Sequence, residues 1–118
     1  MRSLPHPHRD QIDLATVLDA LSDPTRLAIV ADLAVRPAAG IEACCGDFAQ
    51  FGSKPNLTYH LAKLREAGVT LTRIDGTMRR ISLRRDDLDA LFPGLLDSII
   101  AGIRARAPKA LSESVPAG

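Results

Sequence analysis

A change of hydrophobic periodicity at Gly68 constrains the fold of this chain more than any other feature of its sequence. Before it, "SKPNLTYHLAKLREAG" places Leu57, Leu61 and Leu64 at helical spacing, between a serine suited to cap a helix and a glycine suited to end one. After it, "VTLTRIDGTMRRISLRR" alternates apolar and polar residues around an Asp-Gly pair, a strong hairpin signal. The sequence therefore predicts a capped helix joined directly to a β-hairpin.

Helical patterns precede and follow this unit. Apolar residues at helical spacing predict a helix over about residues 10–22, and "SDPTR" starts a second helix that ends at "RPAAG". A short helix of roughly two or three turns is expected in "EACCGDFAQFG", just before the capped helix. The segment "DDLDALFPGLLDSIIAGIRA" is helical again, and Pro93 separates it from a preceding turn. The predicted fold class is mainly α with a β-hairpin wing, which is a winged helix-turn-helix.

Length and composition fit one folded domain. The chain has 118 residues, of which 46% are apolar. We expect a flexible arm at residues 1–9, a folded domain over residues 10–107 and a disordered tail at residues 108–118. The sequence has neither a secretory signal nor a run of apolar residues that could span a membrane, and its two adjacent cysteines do not form a disulfide framework. A cytoplasmic location is therefore expected.

Charge is segregated along the chain, although the net charge is only +1. Between Ser53 and Arg85, eight Lys and Arg residues stand against two acidic residues, and the rest of the chain is net acidic. A basic segment of this kind fits a polyanionic partner. Aromatic residues make up only 3% of the chain, which argues against a stacking surface for single-stranded nucleic acid.

The sequence resembles the ArsR/SmtB family of winged helix-turn-helix repressors in three segments, "LDALSDPTRLAIVADLA", "SKPNLTYHLAKLREAGV" and "RIDGTMRRISLR". The resemblance covers about residues 13–103, and its most specific part is the pattern S-x-x-x-L-T-x-H-L-x-x-L-R-E-A-G. It implies a homodimer whose recognition helices enter successive major grooves of a pseudo-palindromic operator in double-stranded DNA. It also implies release from DNA when a metal ion or another signal binds.

The capped helix and the hairpin carry side chains suited to DNA. At the helix N-terminus, Lys54 suits guanine, Asn56 suits adenine, and Thr58 suits a base edge or a thymine methyl. Arginines at the hairpin can follow a phosphate track or enter a minor groove. The alternative for such a charged face is an ordinary solvated surface. The predicted DNA-binding residues are Ser53, Lys54, Asn56, Thr58, Tyr59, His60, Lys63, Arg65, Arg73, Thr77, Arg79 and Arg80.

Some of these residues have alternative roles. Lys63 and Arg65 lie further along the helix, where they suit backbone charge better than base edges. His60 either donates to a phosphate or is a partly buried histidine that positions two helices. Arg84 and Arg85, which follow the hairpin, are alternatively placed to serve the start of the next helix.

Two adjacent cysteines and two histidines of the arm are the candidate metal ligands. Family members that sense arsenic, cadmium or lead resemble "E-L-C-V-C-D-L" here, whereas this chain has "EACCGDF". Cys44 aligns with the first family cysteine, but the second falls on Gly46, and Cys45 takes the position between them. Adjacent helical side chains point about 100° apart, so two such thiolates converge poorly on one ion. His6 and His8 on the arm could complete a nickel or zinc site; the alternatives are packing cysteines or a labile vicinal disulfide.

Dimerisation is predicted through the terminal helices, because an exposed aliphatic stripe on a helix is otherwise an aggregation liability. We interpret the chain as a cytoplasmic, homodimeric DNA-binding transcriptional regulator, with repression as the expected activity. The alternative is a protein-interaction module that presents its basic face to an acidic partner. An enzyme is not predicted, because the sequence has no evident Ser/His/Asp or paired-carboxylate arrangement. The predicted interface residues are Leu14, Val17, Leu18, Leu95, Leu96, Ile99, Ile100 and Ile103.

Overall fold

Helices pack beside a small antiparallel sheet in this protein, whose computed structural model describes residues 4–35, 43–44 and 52–106. The strand order is β1-β3-β2, so the wing strand β3 lies between the other two. The prediction of a mainly α fold with a hairpin wing is confirmed. The elements are a 3₁₀ turn at Arg9–Gln11, α1 (Leu14–Ala20), α2 (Pro24–Ala34), β1 (Ala43–Cys44), α3 (Lys54–Ala67), β2 (Thr70–Asp75), β3 (Met78–Leu83), α4 (Arg85–Leu91) and α5 (Leu95–Ala105).

Side-chain caps mark the starts of the helices that hold the site. The Asp23 carboxylate accepts from the backbone N–H groups of Thr25 and Arg26, and a proline occupies the first turn of α2. Ser53 caps α3 by accepting from the N–H of Asn56 at 3.4 Å. These two predicted helix starts are therefore confirmed.

The first predicted helix, over about residues 10–22, is wrong in its first part. Ile12 has extended backbone angles (φ −77°, ψ 125°) and separates the 3₁₀ turn from α1. The Asp13 carboxylate accepts from Thr16 N at 3.1 Å, which caps α1 and places its start one residue later. The extended backbone at Ile12 turns its side chain into the core, where it is 8% exposed. Burial of that side chain and the Asp13 cap explain why the helix does not continue back to residue 10.

The short helix predicted in "EACCGDFAQFG" is contradicted at Ala43 and Cys44. These residues form β1, which pairs antiparallel with Ile81 and Arg80 of β3. Backbone hydrogen bonds to the wing override a weak local helical preference. The rest of that segment lies outside the described residues. The helical geometry assumed for the first cysteine therefore does not apply, because Cys44 is in a strand.

The core lies between α3, α2, α5 and the sheet. α3 packs against α1, α2 and β2, while α5 packs against α2 and α4. The predicted buried stripe of α3 is confirmed, since Leu57, Leu61 and Leu64 are 7%, 8% and 0% exposed. Within the described part of the chain, none of the helices has the length and apolar character needed to cross a membrane.

The predicted dimer face divides between the core and the surface. Val17, Leu96 and Ile100 are at most 5% exposed, because they pack inside the protomer. Leu14 and Leu18 are 43% and 45% exposed on α1. The first three residues therefore have almost no surface to offer a partner in this conformation. Partial exposure remains on α5 at Leu95, Ile99 and Ile103.

Candidate nucleic-acid interface

The N-terminal half of α3 exposes several polar side chains. Lys54, Asn56 and Thr58 are exposed, and the Tyr59 ring is 58% exposed. The Thr58 hydroxyl donates to the Lys54 carbonyl oxygen at 3.0 Å. That bond uses the only proton of the hydroxyl, so Thr58 offers a methyl group and an acceptor to a ligand. Ser53 keeps its own hydroxyl proton for a ligand, because its oxygen acts as the acceptor in the helix cap.

Two further basic residues of α3 differ in how far they reach solvent. Lys63 is partly exposed and its Nζ lies 3.7 Å from Asp19 Oδ2 of α1. The Arg65 side chain is only 15% exposed, and its Nε is buried without a hydrogen-bond partner among the described residues. This low exposure is unfavourable to the phosphate contact predicted for Arg65, which stays a prediction. The leucine spacing of α3 alone did not indicate this degree of burial.

The wing carries arginines on both of its faces. Arg73 and Arg80 are cross-strand partners, and the Arg80 Nε lies 3.1 Å from Asp75 Oδ2. Arg79 is paired with Ile74 and points to the opposite face, because side chains alternate along a strand. Thr77 is exposed at the turn. A wing with cations on both faces suits a groove whose two walls are phosphate backbones.

Arg84 and Arg85 hold the base of the wing to neighbouring segments. Arg84 pairs with Asp87 at 2.9 Å and donates from Nη1 to the Pro7 carbonyl oxygen at 2.7 Å. Arg85 Nη2 lies 2.8 Å from Asp97 Oδ1. These contacts favour the alternative in which both residues serve the start of α4 rather than the wing.

His60 belongs to a partly buried polar group, centred on Arg26, that the sequence did not predict. Its Nδ1 lies 3.0 Å from Nη1 of Arg26, a residue only 7% exposed in α2. Arg26 also donates from Nε to the Ala20 carbonyl oxygen at the end of α1. The arrangement supports the interpretation of His60 as a residue that positions helices. The "SDPTR" segment marked a helix start but gave no sign that its arginine is buried.

Asp23 completes this group at the start of α2. Its Oδ2 lies 3.8 Å from His60 Nδ1. Burial opposes ionisation of Asp23, but the N–H groups of Arg26 and Thr25 and the electrostatic effects of the His60 and Arg26 side chains together outweigh it, so the pKa of this carboxyl is lowered. The carboxylate is therefore ionised at neutral pH and balances the buried guanidinium.

Among the described candidate metal ligands, His6 and Cys44 lie at opposite edges of the sheet. His6 Nε2 accepts from Thr72 N at 2.9 Å on the outer edge of β2. Cys44 lies in β1, on the opposite side of β3, and neighbouring strands are about 4.8 Å apart. His8 is exposed on the arm, and Cys45 falls outside the described residues. No cluster of three or more metal-ligating side chains occurs among the residues that the structure describes.

The environment of His6 favours its neutral form. Burial lowers its pKa, and the charges of Arg65 and Arg84 lower it further, against the opposing effect of the Leu4 carbonyl oxygen. A neutral imidazole can accept at Nε2, as the contact with Thr72 requires. His6 thus holds the arm against the outer edge of β2.

Comparison with known proteins shows similarity to regulators. Residues 21–73 match the family model of a helix-turn-helix domain. The uncharacterised HTH-type transcriptional regulator YceK of Bacillus subtilis (strain 168) is 41% identical over 95 residues, covering 76% of this chain and 88% of YceK. A crystal structure of an ArsR-family transcriptional regulator matches with a TM-score of 0.57 at 23% identity, covering 80% of this chain and 92% of that one.

A further solved structure has the same fold. The transcriptional repressor BigR from Xylella fastidiosa matches with a TM-score of 0.52 at 27% identity, and the match covers 67% of this chain and 85% of BigR. All of these relatives are transcriptional regulators and none is an enzyme, in agreement with the sequence prediction.

Proposed function

Because the chain belongs to the helix-turn-helix transcriptional regulators, with the motif and fold of the ArsR/SmtB family, we propose that it is a homodimeric repressor of a pseudo-palindromic operator. One observation carries the proposal: α3, whose N-terminal end exposes polar side chains, packs against β2 of a wing that bears arginines on both faces. Such a protein acts in the cytoplasm, where the DNA is. The repressor activity is supported by the likeness to BigR.

The two surfaces have different tasks in this proposal. The N-terminal end of α3 enters the major groove, where Lys54, Asn56 and Thr58 contact base edges and select the sequence. The arginines of the wing contact phosphates, which adds affinity without sequence preference. Ser53 donates its hydroxyl proton to a phosphate at the helix N-terminus, where the helix dipole favours an anion.

Homodimerisation is supported by apolar surface on both terminal helices. Leu14 and Leu18 lie one helical turn apart on α1 and are each more than two-fifths exposed. Partly exposed side chains on α5 extend the apolar area. Covering these side chains with a second copy removes apolar surface from water and presents two recognition helices to two half-sites.

The proposal is tested by selecting operators from a random duplex library and measuring binding by fluorescence anisotropy. Asn56→Ala should weaken binding to the selected operator by about 1–3 kcal/mol and change binding to random DNA little. Arg104→Ala is the control, because Arg104 is an exposed cation at the far end of α5. A selection that yields no preferred sequence would contradict the proposal. If polyglutamate then competes as well as DNA does, the protein-interaction alternative is favoured.

A further inference from the structure

Arg26 is a buried charge that joins three helices. It is 7% exposed, it donates to the Ala20 carbonyl oxygen of α1, and its Nη1 lies 3.0 Å from His60 Nδ1 of α3. Its own backbone N–H donates to Asp23 Oδ2 at 3.1 Å in the cap of α2. A buried guanidinium is unfavourable unless its donors are paired, so these contacts resist any change in the relative placement of the three helices.

The chemistry of the contact determines the tautomer of His60. A guanidinium group can only donate hydrogen bonds, so His60 Nδ1 must carry a lone pair. The neutral ring then has its proton on Nε2. A protonated ring would place two cations 3.0 Å apart, and Asp23 at 3.8 Å is further away than Arg26 is. The contact therefore requires neutral His60.

His60 connects this buried group to the exposed face of α3. Its ring meets the Tyr59 ring edge to face, with centroids 5.4 Å apart and an interplanar angle of 63°. Tyr59 is 58% exposed, next to the residues proposed to contact bases. Two side chains, those of His60 and Tyr59, thus connect the buried Arg26 to the surface that is proposed to face DNA.

We propose that Arg26 is a positioning residue for base recognition: through Nδ1 of His60 it sets the rotation of α3, without itself touching DNA. This inference rests on the proposed DNA-binding function. It differs from the alternative in which His60 donates from Nε2 to a phosphate, since that role needs no contact at Nδ1.

Two amide substitutions separate these roles. In His60→Asn, the short amide places an oxygen near the position of Nδ1, so the acceptor for Arg26 is kept and the Nε2 donor is lost. In His60→Gln, the longer amide reaches the position of Nε2 and the acceptor at Nδ1 is lost. Arg26→Met removes the donor while keeping an unbranched apolar stem.

The experiment measures the ratio of affinities for the selected operator and for random duplex DNA. We expect His60→Asn to keep the ratio of the wild type, whereas His60→Gln and Arg26→Met lower it about tenfold, the equivalent of one base contact. Binding to random DNA should change less than about twofold in all of them, because phosphate contacts carry it. Thermal unfolding of each variant shows whether the loss of preference occurs in a folded protein.

Other outcomes overturn the inference. If His60→Gln keeps the ratio and His60→Asn loses affinity for both DNAs, His60 is a phosphate donor instead. If the wild type is operator-selective and Arg26→Met is folded and equally selective, only the role of Arg26 fails. If the wild type has no preferred sequence, the proposed function itself fails.

A second measurement needs no DNA. The ¹⁵N chemical shifts of His60 in the free protein should report the tautomer with hydrogen on Nε2 and a hydrogen-bonded lone pair on Nδ1. Hydrogen on Nδ1 at neutral pH would overturn the inference, even where Arg26→Met fails to fold.

Discussion

The side chain of Ile12 occupies the space that a β-carbon on Gly68 would need. An ideal Cβ at Gly68 would lie 2.6 Å from Ile12 Cγ1, and Gly68 has a φ of +88°. Ile12, two positions before the start of α1, thus packs on the end of the recognition helix α3. Gly68 both ends that helix and admits the side chain that covers its end.

Alanine substitutions at three glycines distinguish the cost of an unfavourable backbone conformation from the cost of steric overlap. Gly68→Ala should lower the free energy of unfolding by about 2–4 kcal/mol, because it adds a contact with Ile12 to an unfavourable positive φ. Gly94→Ala has the same kind of φ with open space around it, so we expect a loss of about 1 kcal/mol. Gly102→Ala, in open space within α5, should stabilise by about 0.5–1 kcal/mol. Urea unfolding measures all three, and equal losses at Gly68 and Gly94 would contradict the importance of Ile12.

Thr58 should act through its methyl group rather than its hydroxyl. The hydroxyl proton is used by the Lys54 carbonyl oxygen. We therefore expect Thr58→Val to retain most of the operator affinity and Thr58→Ala to lose about 1 kcal/mol, measured by anisotropy on the selected operator. If Thr58→Val loses as much affinity as Thr58→Ala, the contact is made by the hydroxyl oxygen instead.

Arg79 should bind phosphate without regard to sequence. Arg79→Ala is expected to weaken binding to operator and random DNA alike, and to reduce the slope of log K against log salt by about 1. Arg85→Ala is a matched control, because Arg85 is paired with Asp97 instead of lying on the wing. A loss on the operator alone would mean that Arg79 contacts a base.

Exposed leucines of α1 should hold the dimer together. Leu14→Glu with Leu18→Glu should give a monomer of 12.7 kDa by size exclusion with light scattering, where the wild type gives twice that mass. Charges in an apolar interface are unfavourable, and these positions contribute little to the core of the protomer. Val35→Glu is the control, because Val35 is 58% exposed at the end of α2. If the wild type is itself a monomer at micromolar concentration, the palindromic mode of binding is excluded.

The contact between His6 and Thr72 should make stability depend on pH. The pKa of His6 is below its ordinary value of 6.5 in the folded state. As the pH falls below 6.5, the unfolded chain therefore binds more protons at His6 than the folded protein does. The stabilisation is therefore present above pH 6.5 and is lost as the pH falls through the folded pKa. His6→Gln keeps an acceptor for the Thr72 N–H and does not titrate. We expect the wild type to lose more free energy of unfolding than His6→Gln between neutral pH and about pH 5; parallel curves would contradict this.

Neither arsenite nor cadmium at stoichiometric amounts should release the protein from DNA. Cys44 lies in β1, at the opposite edge of the sheet from the β2 strand that His6 contacts, so these two described candidates are separated by β3. A nickel or zinc site that used Nε2 of His6 would have to displace the Thr72 contact first. Calorimetry on the wild type, on Cys44→Ser with Cys45→Ser, and on His6→Gln with His8→Gln tests both possibilities. Tight cadmium binding that dissociates DNA and disappears in the serine variant would show that the cysteines are the sensor.

Local signals in the sequence determined most of the secondary structure around the site. The caps at Asp23 and Ser53, the stop at Gly68 and the Asp75-Gly76 turn each act within a few residues of the chain. Interactions of such short range depend little on the rest of the fold, so α2, α3 and the wing were predictable from sequence alone. The leucine spacing likewise determined which face of α3 is buried, and hence which face is free for DNA.

Only the tertiary structure decided the contacts between segments that are distant in the chain. Ala43 and Cys44 form a strand because they pair with residues of β3. The Arg65 side chain is only 15% exposed, although it lies on a helix whose other basic side chains reach solvent more fully. The bond between Arg26 and His60 joins residues that are 34 positions apart. A periodic pattern gives the direction of a side chain relative to its own helix or strand, but a partner depends on how the elements pack. For that reason the face of the recognition helix follows from the sequence, whereas the buried group that orients it does not.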